Sequence, residues 1–382
     1  MLLLVLAGVL FFWTGFQKTK NMEEEDYAAA IAERQIKQQN ESAEDLSAQA
    51  DSEEIVTLEG DPLLLQAIRE TAGSNEVTKR MLSGITRIAV IGDQIYTEET
   101  PVEDLENIVY QDGFNDGMVN GGITDLSVLT NLPNLKEVFL CNQKISDISP
   151  LQELPIEGLY VCGNQIKDFS PVEKMQELST LYLVDNPVGK MPQLSGCTKL
   201  TRLALCGNDY ETLDFLQGSS VCNLYAMGIY VEDESFGVLS TMQSLTELYT
   251  GSEQKQFYEI LPELTELRTL SLWGGNFGTD LTIVSKLVNL QNLFVNDEFV
   301  TSLSGIENLQ RLEVFCMDGT NATDISPLTK LPRLQVVRLQ GVPIVEFAPL
   351  FSCHSLQEVE ADSSQKEKIE QLGDPVFMIF VE

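Results

Sequence analysis

The stretch Leu135–Leu151, LKEVFLCNQKISDISPL, decides the fold. Its apolar residues are Leu135, Val138, Leu140, Ile145, Ile148 and Leu151. They follow neither the 3.6-residue period of a helix face nor the simple alternation of a strand. The spacing returns 21 residues later in IEGLYVCGNQIKDFSPV, from Ile156. It returns again from Leu178, Leu200, Val221, Leu245, Leu267, Leu290, Leu312, Leu334 and, as a stub, Leu356. Eleven copies thus stand in register at steps of 21 to 24 residues, mostly 22.

That period, with L-x-x-L-x-L-x-x-N-x-L spacing, is the leucine-rich repeat signature. Each copy predicts a short strand whose two leucines point to one side, into a core. The Asn at the ninth position (Asn164, Asn186, Asn208) suits a bend where side-chain amide and backbone bond each other. Further apolar residues bring the chain back along the convex side. No copy buries its own apolar edge, so the copies must stack, and stacking lays the strands into a parallel concave sheet. Gln143 replaces the Asn in the first clear copy, the copies from Val221 and Leu245 lack it, and Gly275 and Glu298 stand there later. The middle of the array is therefore expected to be irregular.

Between the two inward residues of each strand lies one that must face outward. Read down the array, that position is Phe139, Tyr160, Tyr182, Ala204, Tyr225, Tyr249, Ser271, Phe294, Cys316, Arg338 and Glu360. Six of these eleven are aromatic in a chain that is 8 % aromatic overall. The next outward column begins with Cys141, Cys162, Val184, Cys206 and Met227 and later reaches Trp273. Such a stripe is either a cross-strand ladder that stabilises the sheet or a set of protein-binding anchors. An exposed apolar stripe of this length favours binding. The expected protein-binding residues are Phe139, Tyr160, Tyr182, Tyr225, Tyr249, Trp273 and Phe294.

The regions outside the repeats divide the chain further. GDPLLLQAIRETAG predicts a capping helix with Asp61 as N-cap and Pro62 at its first position, and NEVTKRMLSG a second short helix capped by Asn75. ITRIAVIGDQI from Ile85 reads as an early repeat and LENIVY from Leu105 as a candidate second one. DGFNDGMVNGG, from Asp112, resembles a calcium loop only in composition, because Phe114 and Ile123 stand where oxygen ligands would be needed, so it reads as an insertion. The predicted organisation is an apolar segment over 1–16, an acidic, partly helical stalk over 17–60, a helical cap over 61–84, repeats over 85–364 and a C-terminal cap of helix and strand over 365–382.

With the helical cap, the D-x-x-L-x-x-A-I-R pattern (Asp61, Leu64, Ala67, Ile68, Arg69) and units ending in D-I-S-P-L (Asp147–Leu151, Asp324–Leu328), residues 61–364 resemble bacterial internalin-type leucine-rich repeat proteins. The resemblance implies a non-enzymatic adhesion or interaction module at the cell surface. No cell-wall sorting motif and no immunoglobulin-like domain follows the repeats, so surface display rests on LLLVLAGVLFFWTGF, Leu2–Phe16. As a helix that run spans roughly 22 Å, short of a bilayer core of roughly 30 Å without help from its flanks. It lacks a basic n-region and a cleavage site and reads as an uncleaved anchor. Lys18 and Lys20 favour a cytoplasmic C-terminal side, the resemblance an outward one, and the orientation stays open. A second reading is a cytoplasmic regulatory scaffold resembling the phosphatase-regulating leucine-rich repeat proteins.

Composition narrows the partners. A formal net charge of −34 sets the chain against nucleic acid. Seven cysteines form no paired framework, and Cys141 and Cys162, neighbours in one column, are expected as free thiols. His354 is the single histidine, and no Asn or Asp is placed to orient it beside Cys353, so no enzyme, metal or cofactor is expected. The expected partners are another protein through the concave face and a membrane through residues 2–16.

Overall fold

In each repeat the Leu-x-Leu strand buries its leucines, as in Leu159 of Gly158–Tyr160, Leu181 of Thr180–Tyr182 and Leu203 of Arg202–Ala204. The three residues pair in register, Leu159 with Leu181 and Leu181 with Leu203. Carried along the array, this pairing gives one 14-stranded sheet, from Gln94–Tyr96 at one edge to Met378–Val381 at the other. The 94–96 strand is antiparallel to its neighbour, Arg87–Ile91, and every later pairing in the sheet is parallel. The computed structural model describes residues 53–111, 119–232, 236–252, 254–274 and 277–381. The apolar segment expected over 1–16, the stalk up to residue 52, and the part of the insertion over 112–118 lie outside the described residues.

The bends that close each repeat are held by buried amides. Asn164 donates from Nδ2 to the carbonyls of Leu140, Val161 and Cys162, and its Oδ1 accepts from the amide of Ile145. Asn186 and Asn208 repeat the arrangement one and two copies on. Gln143 does the same work in the first clear copy, donating to the carbonyls of Gly92 and Cys141 and accepting from Ile123. Each such side chain satisfies backbone groups that burial would otherwise leave unpaired. Further along, the buried polar residue comes one place early, at Ser252 and Asp297, or changes type, at Thr320. There the convex side also departs from pattern, with short α-helices at Val238–Thr241 and Lys255–Ile260 among the 3-10 turns of the other copies.

The recurring D-x-S has a local cause. Asp147 Oδ1 accepts from the amide of Ser149 at 2.8 Å and its Oδ2 from the Ser149 hydroxyl, opening the 3-10 turn Ser149–Leu151. Asp125 with Ser127 and Asp324 with Ser326 do likewise. These Asx turns start the convex segment in the direction its buried leucine requires.

Among the described residues, those within 58–75 and 82–381 form one compact unit, and 53–57 with Glu76–Met81 belong to another. In the first, the helix Pro62–Ala72 starts at Asp61, whose side chain accepts from the amide of Leu63, and buries Leu64, Ala67 and Ile68. In the second, Ile55–Val56 pairs antiparallel with Val77–Thr78. That pairing corrects the expected helix start at Asn75: residues 77–78 are extended, and the helix runs over Lys79–Gly84. At the far end, the helix Ser363–Gln371 is opened by a capping box of Asp362 and Gln365, and the last strand follows it.

A concave face half covered by its own helix

The largest departure from the sequence reading lies on the concave face. LENIVY is not a repeat strand: residues Val102–Gln111 form a helix, and the strand at 87–91 pairs directly with Glu137–Cys141. The helix is amphipathic, with Val102, Leu105 and Val109 on one side and Glu103, Asp104 and Asn107 exposed on the other. Leu105 and Val109 are buried in one apolar cluster with Ala89, Phe139, Tyr160, Tyr182 and Ala204. The expectation that Phe139, Tyr160 and Tyr182 form an open stripe is therefore corrected. All three are buried, with exposures of 0, 2 and 1 %, because the chain's own helix covers them. The signal was present in the sequence: Pro101 before a 3–4 spacing of Val102, Leu105 and Val109, with Glu103 and Asp104 in the first turn.

Polar contacts pin the helix. Glu106 accepts both guanidinium branches of Arg202, Nη1 at 2.8 Å and Nη2 at 3.0 Å, and also the Tyr160 hydroxyl. Arg202 Nη2 also donates to the Tyr182 hydroxyl at 2.8 Å, and the guanidinium lies 5.6 Å from the Tyr182 ring centre. Such a bidentate, charge-assisted contact in partly dry surroundings is among the stronger polar interactions. Burial works against the charged form of Arg202, yet the Glu106 hydrogen bond and the surrounding charges outweigh it and raise the pKa. Burial and the Glu106 contact push the Tyr160 hydroxyl pKa up.

Close by, Glu137 has one carboxylate oxygen, Oε2, buried without a hydrogen-bond partner. Burial first, then the negative charges of Glu157 and Glu106, raise its pKa to about 7. Its carboxylate occupies the space over Gly158, where any Cβ would collide with it.

Among the described residues the full cover ends beyond Ala204, with Tyr225 and Met227 only partly buried against its edge. The rings continue unbroken, Tyr182 to Tyr225 at 5.9 Å edge-on and Tyr225 to Tyr249 stacked at 4.4 Å. Tyr225, Tyr249 and Phe294 are half-buried and Trp273 is 55 % exposed. With Met227, Asn296, Cys316, Asp318 and Arg338 they line an open groove of about 420 Å³. The seven expected anchors thus split into three that are core and four that line open surface.

The other sequence candidates fall elsewhere. The Cys141 and Cys162 thiols are free and buried, as are Cys197, Cys206, Cys316 and Cys353. His354 is exposed with Nδ1 2.8 Å from the Ser352 carbonyl, and burial pushes the adjacent Cys353 thiol up to about 11, away from the reactive thiolate. Among the described residues, no group of three or more His, Cys, Asp or Glu is arranged to hold a metal ion. No helix among the described residues is long and apolar enough to cross a membrane.

Comparison with solved structures agrees with this architecture. The internalin InlF of Listeria monocytogenes superposes with a TM-score of 0.57 at 20 % identity, over 84 % of this chain and 90 % of that one. The fold is the leucine-rich repeat solenoid of the internalins. The internalin C2 of the same organism matches 79 % of this chain and 93 % of its own at 20 % identity, with a TM-score of 0.30. A leucine-rich repeat protein of Leptospira interrogans matches 69 % and 82 % at 17 % identity, with a TM-score of 0.44. No family model and no curated protein sequence matches the chain.

Proposed function

We propose that this internalin-like solenoid is a non-catalytic protein-binding module that engages its partner through the open half of its concave face, at Tyr225, Tyr249, Trp273 and Phe294. The observation that carries the reading is Trp273. A tryptophan left 55 % exposed beside half-buried rings in a groove costs solubility unless something covers it. Tryptophan and tyrosine are also the side chains that most often dominate binding energy. Phe139, Tyr160 and Tyr182 serve the fold and not the partner. Display at a bacterial cell surface, with residues 2–16 as membrane anchor, completes the proposal and follows from the apolar run and the internalin likeness.

Two experiments test it. Trp273→Ala together with Phe294→Ala should leave the circular dichroism spectrum unchanged and abolish capture of the partner; unchanged capture would remove the open half as the site. Protease shaving of intact cells should degrade the repeats if they face outward. Protection in intact cells, lost on lysis, would favour the cytoplasmic scaffold instead.

A further inference from the structure

The covered half of the concave face shows what this surface accepts. It seats an amphipathic helix, Val102–Gln111, whose Leu105 and Val109 lie on the ring column while a charged side chain, Glu106, reaches a counter-charge on the sheet. The open half continues the same column with no break in ring contact at Tyr182, Tyr225 and Tyr249. Its charges have the opposite sign. Arg338, the cation in the groove, is taken by Glu360 at 2.6 Å. Asp318 accepts from the Cys316 thiol and the Gln340 amide while its charge also acts on Arg338, and Glu247 at the groove's flank accepts from the Asn223 amide. The whole chain carries a net charge of −34.

We propose that the open half seats a basic amphipathic helix of a partner protein, apolar residues on Tyr225, Tyr249, Trp273 and Phe294, and Lys or Arg toward Asp318 and Glu247. This rests on the protein-binding reading above and adds the chemistry of the partner. Three properties of the face select that occupant. The ring faces and the Asp318 and Glu247 carboxylates, which accept hydrogen bonds from neutral donors, both attract cations. The neighbouring helix shows that the curvature admits one. The six strands from Asn223–Met227 to Val336–Arg338 span about 24 Å, the length of a helix of roughly 16 residues. A second copy of the chain is disfavoured by like charge.

The test uses full-length protein and a labelled synthetic helix of about 16 residues, Leu and Phe on one face and Lys and Arg on the other. Controls are a scrambled peptide of the same composition and a twin with Glu in place of every Lys and Arg. Fluorescence anisotropy should show binding that weakens roughly tenfold in Trp273→Ala and several-fold in Glu247→Gln with Asp318→Asn. The acidic twin should bind far more weakly. Trp273 is exposed, so its variant retains the fold. Equal binding of the scrambled peptide would mean attraction to a negative chain and nothing more, and would overturn the proposal. Indifference to Trp273→Ala would do the same. A random peptide library displayed on phage separates the two levels of inference. Trp273-dependent binders that are acidic or extended defeat the basic helix and leave the protein-binding face standing; a library with no Trp273-dependent binder defeats both.

Discussion

Tyr160 and Tyr249 occupy the same column of one parallel sheet, four strands apart, and each lies against a neighbouring aromatic ring, at 4.0 and 4.4 Å. One is buried and the other half-buried. The sheet does not make the difference, since both strands have the same register and both rings point outward. The cover does. Over Tyr160 lies a helix supplied by an insertion between the first repeat strand and the next; among the described residues, none lies over Tyr249. An aromatic stripe on a solenoid is thus two surfaces with different chemistry. The first is a second hydrophobic core, sealed by Leu105 and Val109 and locked by Glu106. The second is open surface carrying four rings of its own, Tyr225, Tyr249, Trp273 and Phe294.

The comparison is broken most directly at the helix. Leu105→Ala should cost about 3 kcal/mol, because it empties a fully buried site between the helix and three rings. Urea denaturation measures the loss, and hydrogen exchange should show the 102–111 amides losing protection before those of the sheet. A cost under about 1 kcal/mol would mean that the helix is loosely seated and that the two halves are alike.

Next in size is Glu106→Gln. It leaves Arg202, about one-third exposed, without its anion, and should cost about 2 kcal/mol, discounted for the water that reaches the guanidinium. A double-mutant cycle with Arg202→Gln isolates the pair from the rest of the helix contact. Coupling near zero would assign the seating of the helix to apolar packing alone.

Glu137 supplies a pH-dependent handle on the covered half. Folded, it keeps its proton up to about pH 7; unfolded, it loses it near the ordinary glutamate value of about 4.5. Between those limits the native state binds more protons than the unfolded state, so this group favours folding below pH 4.5 and loses that contribution as pH rises through 7. Glu137→Gln removes the charge without removing the side chain. It should leave stability unchanged at pH 4 and raise it at pH 8 by about 1 kcal/mol, solvent screening included. Equal stability changes at both pH values would show that the carboxylate is well solvated.

How these features could be foreseen differs with the range of the interaction. The repeat was legible because its determinants are local: Leu159 and Leu181 are each read from a strand only three residues long, and Asn164 sits at a fixed offset from its own strand. The D-x-S turn at Asp147 is a two-residue contact. The covering helix reads as a candidate repeat at LENIVY, although its sequence carries a helix signal. Its 3–4 apolar spacing predicts amphipathicity but not the surface it lies on, because Glu106 meets Arg202 across 96 residues. Solvent exposure of Tyr160 is a property of that distant contact and is invisible in its own repeat. The substitution of Ser252 and Asp297 for the ninth-position Asn, one place early, escaped the fixed-offset reading for the opposite reason: it keeps the buried polar group and shifts the frame.

The smallest expected effect is the most discriminating. Trp273→Ala should change stability by less than about 0.5 kcal/mol, since more than half of the side chain already meets water and little apolar area is returned to solvent on truncation. Tyr160→Ala, in the covered half, should cost several times more, because it opens a cavity under the helix and removes a hydrogen bond to Glu106. A free face and a core face respond to truncation in opposite ways: the first loses binding and keeps stability, the second loses stability first. If Trp273→Ala destabilised the array as Tyr160→Ala does, Trp273 would be a structural ring whose partner is part of this chain, and the open half would cease to be a candidate for anything outside it.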